Sequence, residues 1–86
     1  MFSLDFSERA KRFLKKLDKH ISERIVIKLE TLGENPFPSD SKFIGRDRGE
    51  KVFRVRIGDY RALYIVDENK EIILVTKIDK RDKVYD

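Results

Sequence analysis

Hydrophobic residues change their spacing along this chain, and the spacing predicts the elements. Phe2, Leu4 and Phe6 alternate with Ser3 and Asp5, which predicts a short strand. Ser7 follows as a helix N-cap, with Glu8 in the first turn. Ala10, Phe13, Leu14 and Leu17 fall at i, i+3, i+4 and i+7, an apolar stripe opposite Arg9, Lys11, Arg12, Lys15 and Lys16. A break at Asp18-Lys19-His20 precedes a second helical pattern. Ser22 is its expected cap, with Ile21 before it and Val26 at the staple position. Ile25, Leu29 and Leu32 line one face, and Gly33 suits the C-terminal cap. Together these form an αα-hairpin.

Residues 33–50 hold Pro36, Pro38, Gly45 and Gly49 and predict a long loop pinned by Lys42-Phe43-Ile44, with an exposed charged run from Gly45 to Lys51. Phe53, Val55 and Ile57 then alternate with Arg54 and Arg56. Gly58-Asp59 reads as a two-residue hairpin turn of type II′, residues 60–66 as the return strand, 67–70 as a turn and 71–78 as the last strand. The expected class is α+β: an N-terminal strand, a helical hairpin, then an antiparallel β-meander forming one sheet packed on the helices. The first strand takes an edge of that sheet, and one domain spans 1–86.

The Gly58-Asp59 turn fixes a register. Ile57 faces Tyr60, Arg56 faces Arg61, Val55 faces Ala62 and Phe53 faces Tyr64. One face is therefore apolar and belongs under the helices. The other carries Arg54, Arg56 and Arg61, with Leu63 and Ile65 further along. The second turn is expected to pair Leu63 with Leu74, Ile65 with Ile72 and Arg61 with Thr76. Two short helices cannot cover both faces, so part of the second face is open or awaits a partner. Arg56 across from Arg61 is a like-charge pair that costs stability. Three guanidiniums on one small surface suit a phosphate. Solvated edge arginines are the plain alternative.

Composition narrows the chemistry. Lys and Arg number 20 against 16 Asp and Glu, a net charge of +4 over 86 residues. That excess favours anionic partners only through its placement. With no cysteine, disulfide and thiolate chemistry are excluded, and a reducing cytoplasm is consistent. His20 is the only histidine, too few for a zinc site, and no metal or cofactor is expected. The opening MFSLDFSERAKRF reads as neither signal peptide nor membrane span. Acyl transfer lacks its residues. RNA cleavage needs fewer groups, because the 2′-hydroxyl of the substrate is the nucleophile. Arginines stabilise the charge that develops on phosphorus, while another group protonates the leaving 5′-oxygen. The tail Lys80-Arg81-Asp82-Lys83-Val84-Tyr85 continues from the strand beside Arg61 and can bring Arg81 and Tyr85 near the cluster, with a frayed basic terminus carrying a stray aromatic as the equal alternative.

The stretch Phe53-Arg54-Val55-Arg56-Ile57-Gly58-Asp59-Tyr60-Arg61-Ala62-Leu63-Tyr64, followed by Lys80-Arg81-Asp82-Lys83-Val84-Tyr85, resembles the RelE/ParE superfamily of type II toxins. The opening FSERAKRFLKKL is similar to the first helix of that family. The likeness covers nearly the whole chain. It implies a ribosome-dependent endoribonuclease that cleaves mRNA in the ribosomal A site, in contact with 16S-type rRNA, and that a RelB-like antitoxin blocks. Arg61 would stabilise the transition-state phosphate, Arg81 would act as general acid, and Tyr85 would stack on the nucleotide and help activate the 2′-hydroxyl. Arg54, Arg56, Lys51, Lys80 and Lys83 would contact RNA. Val52 stands where the best-known members have a lysine, so the general base is open. Lys51 is adjacent but points to the other face in a regular strand. The alternatives are a ParE-like inhibitor of DNA gyrase and a non-catalytic RNA-binding module.

Overall fold

The computed structural model describes residues 1–80. Its elements run β1 (Ser3–Phe6), α1 (Glu8–Lys16), α2 (Lys19–Glu30), a short 3-10 turn (Thr31–Gly33), β2 (Ser41–Asp47), β3 (Glu50–Ile57), β4 (Tyr60–Asp67) and β5 (Ile72–Lys80). The expected α+β class holds. One five-stranded sheet has the order β1-β5-β4-β3-β2, antiparallel except for the β1–β5 pair, and β1 occupies an edge as anticipated. Among the described residues no helix is long and apolar enough to cross a membrane.

Ser7 caps α1 as the sequence suggests, its hydroxyl accepting from Ala10 N at 3.1 Å. The cap of α2 is Asp18 instead of Ser22. The Asp18 carboxylate takes the His20 N–H at 2.9 Å, and the helix begins three residues before Ser22, whose hydroxyl donates back to the Lys19 carbonyl. Gly33 is no left-handed cap. It lies in the 3-10 turn because β1 starts against it: Phe2 N donates to its carbonyl at 2.9 Å, and a Cβ there would stand 2.8 Å from Phe2 O.

The largest correction concerns residues 41–47, which form a strand and not a loop. β2 pairs with β3 through a two-residue turn, Arg48-Gly49, with both residues at positive φ (54° and 85°), the pattern of a type I′ hairpin. A bulge between Phe43 and Gly45 interrupts its alternation. The meander therefore has four strands.

The β3–β4 register is the one read from the sequence: Phe53 opposite Tyr64, Val55 opposite Ala62, Arg56 opposite Arg61, Ile57 opposite Tyr60. Gly58 at φ 60° opens that turn. The β4–β5 register differs. Ile65 pairs with Leu74, Leu63 with Lys77 and Arg61 with Asp79, because the turn is longer than expected and Thr76 is an extra residue in a bulge. The bulge changes the inward spacing of β5, so Ile73, Val75 and Ile78 are all buried. The α1 N-terminus holds it. Ser7 Oγ and Arg9 Nε both donate to the Thr76 carbonyl, at 2.9 and 3.2 Å.

The core lies between the helices and one sheet face. Ala10, Ile25, Leu29 and Leu32 pack on Val55, Ile57, Ala62, Tyr64, Ile73, Val75 and Ile78. Leu63, Ile65, Ile72 and Leu74 lie outside that cluster on the second face, half-buried.

Candidate nucleic-acid interface

Strand alternation places Arg54 and Arg56 of β3 and Arg61 of β4 on the face turned away from the helices. Pairing builds rows across the sheet. Lys42, Arg54, Leu63 and Lys77 form one row, and Arg56, Arg61 and Asp79 the next. Two of the neighbouring pairs, Lys42–Arg54 and Arg56–Arg61, are like-charged, each costing roughly 0.2–1 kcal/mol. A sheet shaped by stability alone would alternate signs here.

Arg61 is the only buried charged residue among those described, 7% exposed. Its Nη1 donates to the Tyr60 carbonyl at 3.0 Å and to the Gly58 carbonyl at 3.4 Å. The guanidinium is thus folded over its own hairpin turn and pre-oriented before any ligand arrives. Arg54 has a buried Nε on the same face, while Arg56 is exposed. From α2, Arg24 Nη2 reaches within 3.1 Å of the position a Cβ at Gly58 would take, adding a cation at this turn.

The structure separates other residues from this group. Lys51 alternates with Phe53 and Val55, and lines a cavity with Phe43 and Phe53, so it lies on the opposite face. Lys80 pairs with Tyr60 and follows the helix-side alternation of Ile78. Neither joins Arg54, Arg56 and Arg61. Arg81, Lys83 and Tyr85 fall outside the described residues. Sequence reasoning missed Lys42, Lys77 and Asp79 as members of this face. Lys42 was hidden by the unread β2. The spacing Ile73, Val75, Ile78, two residues and then three, was the signal for the bulge that turns Lys77 and Asp79 outward.

Three comparisons bear on this geometry. The family model described as ParE toxin of type II toxin-antitoxin system, parDE, matches residues 4–85. The toxin candidate RelE1 of Methanocaldococcus jannaschii is 34% identical over 85 residues, 98% of this chain and 94% of the relative. The mRNA interferase toxin RelE of Escherichia coli K12 is 30% identical over 82 residues, 95% of this chain and 85% of that protein. Among solved structures, the toxin-antitoxin complex RelBE2 of Mycobacterium tuberculosis matches at TM-score 0.77 and 27% identity, covering 93% of this chain and 98% of that one. The sheet, its hairpin of arginines and these full-length likenesses define a type II toxin fold. The chain belongs to the RelE/ParE superfamily and is RelE-like.

Proposed function

We propose that this chain is the toxin of a type II toxin–antitoxin pair, a cytoplasmic endoribonuclease that cuts mRNA in the ribosomal A site without a metal. One observation carries the reading: Arg61, buried and folded over its turn, stands directly opposite Arg56 on the open sheet face. Arg61 has Arg56 on one side and Asp79 on the other, so the row keeps a net positive charge, and a phosphodiester is an anion that guanidinium forks fit. The E. coli relative named as an mRNA interferase supports RNA as the source of that phosphate.

In this reading the 2′-oxygen attacks the adjacent phosphorus and the P–O5′ bond breaks, leaving a cyclic phosphate. Arg61 stabilises the equatorial oxygens of the transition state. Arg54 and Arg56 hold the flanking backbone. Tyr85 stacks on the nucleotide and helps pass the 2′-hydroxyl proton to solvent, while Arg81 gives a proton to the departing 5′-oxygen. A RelB-like antitoxin covers the apolar part of the same face, around Leu63, Ile65, Ile72 and Leu74, as an amphipathic segment. The M. tuberculosis relative was solved as a toxin-antitoxin complex, which supports a bound antitoxin as partner.

Translating ribosomes incubated with the purified chain are expected to give 3′-ends inside A-site codons. Arg61→Ala is expected to lower the rate by about 10²–10³, the scale of losing one oxyanion donor. Intact message with the wild-type chain, or equal cutting by the variant, overturns the reading. The ParE description of the matching family model favours a second reading, a gyrase inhibitor. It predicts blocked DNA supercoiling with no RNA ends.

A further inference from the structure

The free end of the β2–β3 hairpin gathers features that the arginine face does not use. Four large hydrophobic side chains are exposed among the described residues, and two of them, Phe37 at 45% and Phe43 at 50%, meet here. Both rings lean edge-on against Phe53, at centroid distances of 5.0 and 5.8 Å. Arg46 and Lys51 stand directly opposite each other across the ladder, a further like-charge pair. They share a cavity of about 440 Å³ with Phe43 and Phe53. Arg46 Nη1 donates to the Gly49 carbonyl at 2.9 Å, which fixes the guanidinium against the hairpin turn. An adjoining cavity of about 470 Å³ shares Arg46, Lys51 and Phe53, takes in Phe37, and is bounded by Asp67 and Glu68 from the β4–β5 turn.

Edge strands often carry charge to prevent pairing with other chains, and that accounts for Arg46 alone. It does not account for two half-exposed phenylalanines beside it, which raise the aggregation risk that edge charges lower. The feature that satisfies both is a planar anionic ligand. A nucleobase stacks on a phenylalanine face, and its phosphate takes the guanidinium and ammonium. Asp67 and Glu68 add acceptors, which suit the exocyclic amino groups of adenine, cytosine or guanine; uracil has none. An added peptide strand fits less well, because the bulge between Phe43 and Gly45, with Gly45 at φ 144°, breaks the edge that such a strand would follow.

We propose that this trough binds one unstacked, amino-bearing base of single-stranded nucleic acid. The ring rests on Phe43 and Phe37, the phosphate on Arg46 and Lys51, and the amino edge on Asp67 and Glu68. Phe43, Phe53 and Lys51 lie on the helix-side face, about 17 Å along β3 from Arg56 at ~3.4 Å per residue, and Asp67 closes the trough from the end of β4, where it also borders the opposite face. It goes beyond cleavage and does not depend on it.

The test titrates the full chain with short labelled oligoadenylate, oligocytidylate and oligouridylate, reading anisotropy and NMR shifts. Oligoadenylate and oligocytidylate are expected to shift the signals of Phe37, Phe43 and Lys51, whereas oligouridylate binds about tenfold more weakly. Phe43→Ala and Arg46→Gln are each expected to weaken oligoadenylate binding about tenfold, the scale of one lost stacking contact. Glu68→Gln is expected to narrow the preference over uridylate. All three side chains are exposed, and circular dichroism confirms folding. Arg61→Ala leaves the shifts at Phe37 and Phe43 in place even where cleavage is lost, so the two failures are distinguishable. Shifts confined to the arginine face, wild-type affinity in folded Phe43→Ala, equal binding of uridylate, or a response to an acidic apolar peptide but to no oligonucleotide overturns the proposal.

Discussion

Two buried polar side chains show how single residues set this surface. The place of Arg61 on the second sheet face, opposite Arg56, was legible because the Gly58-Asp59 turn fixed its register. Its burial was not legible, since that comes from the guanidinium folding back onto the Gly58 and Tyr60 carbonyls. Tyr64 was legible as core, while the bond made by its hydroxyl was not. That hydroxyl donates to the Pro36 carbonyl at 2.7 Å, tying the 34–40 connection beneath β2. Burial raises the Tyr64 pKa above its ordinary 10.0; a hydrogen bond with Ser41 lowers it and Asp40 raises it further. Tyr64→Phe leaves the Pro36 carbonyl without this donor and is expected to cost about 1–2 kcal/mol at neutral pH. The sign of the pH effect follows from the raised value. The folded state holds the phenolic proton more tightly than the unfolded chain, so this stabilisation is complete below pH 10 and declines as pH rises above it. Urea denaturation of both proteins checks this: the gap between wild type and Tyr64→Phe narrows above that pH, and a constant gap contradicts the assignment.

At the level of elements, regular segments were readable and interrupted ones were not. β1, both helices and the β3–β4 hairpin each repeat one period long enough to show it. β2 has Ile44 as the extra residue of a bulge between Phe43 and Gly45 and leaves most of its side chains in water, so neither alternation nor burial marks it. The Thr76 bulge hides in the same way, and it matters more. It corrects the phase of β5, so that Ile78 enters the core while Lys77 and Asp79 join the arginine face. Two changes of chain length separate its roles. Deleting Thr76 keeps Val75 and Ile78 inward and removes the carbonyl that Ser7 and Arg9 engage together with the long bond from the Thr76 hydroxyl to the Leu63 carbonyl, a loss of about 1–2 kcal/mol. Inserting one alanine between Lys77 and Ile78 turns Ile78 outward and Asp79 toward the core, an expected loss above about 3 kcal/mol. Denaturation midpoints in guanidinium rank the two. Equal losses would mean that the bulge does not set the phase of β5.

Over the whole molecule, the second sheet face is graded in charge. Arg54, Arg56, Arg61, Lys42 and Lys77 occupy the end near the β3–β4 turn. Val52, Ile65 and Leu74 form a row across the middle that ends at Asp5 of β1, and Glu50 and Asp67 join Asp5 around a cavity of about 290 Å³ at the other end. A net charge of +4 conceals this polarity. Under the proposed function, a polyanion would meet mostly cations at one end of the face, with Asp79 among them, and mostly carboxylates at the other, with Lys70 among them, an arrangement that would orient a strand of RNA toward Arg61. The gradient makes position, not total charge, the determinant of salt sensitivity. Each phosphate held by a cation contributes about 0.7 to the slope of log K against log salt for a single strand. Arg56→Gln is expected to reduce that slope by about 0.7 for a short RNA bound to the full chain. Lys19→Gln removes the same formal charge from α2, where Lys19 is 3.9 Å from Glu23, and is expected to leave the slope unchanged. Fluorescence anisotropy across a salt series reads both. Equal reductions from the two variants would show that RNA responds to the overall charge of the protein and would remove the argument for an oriented face.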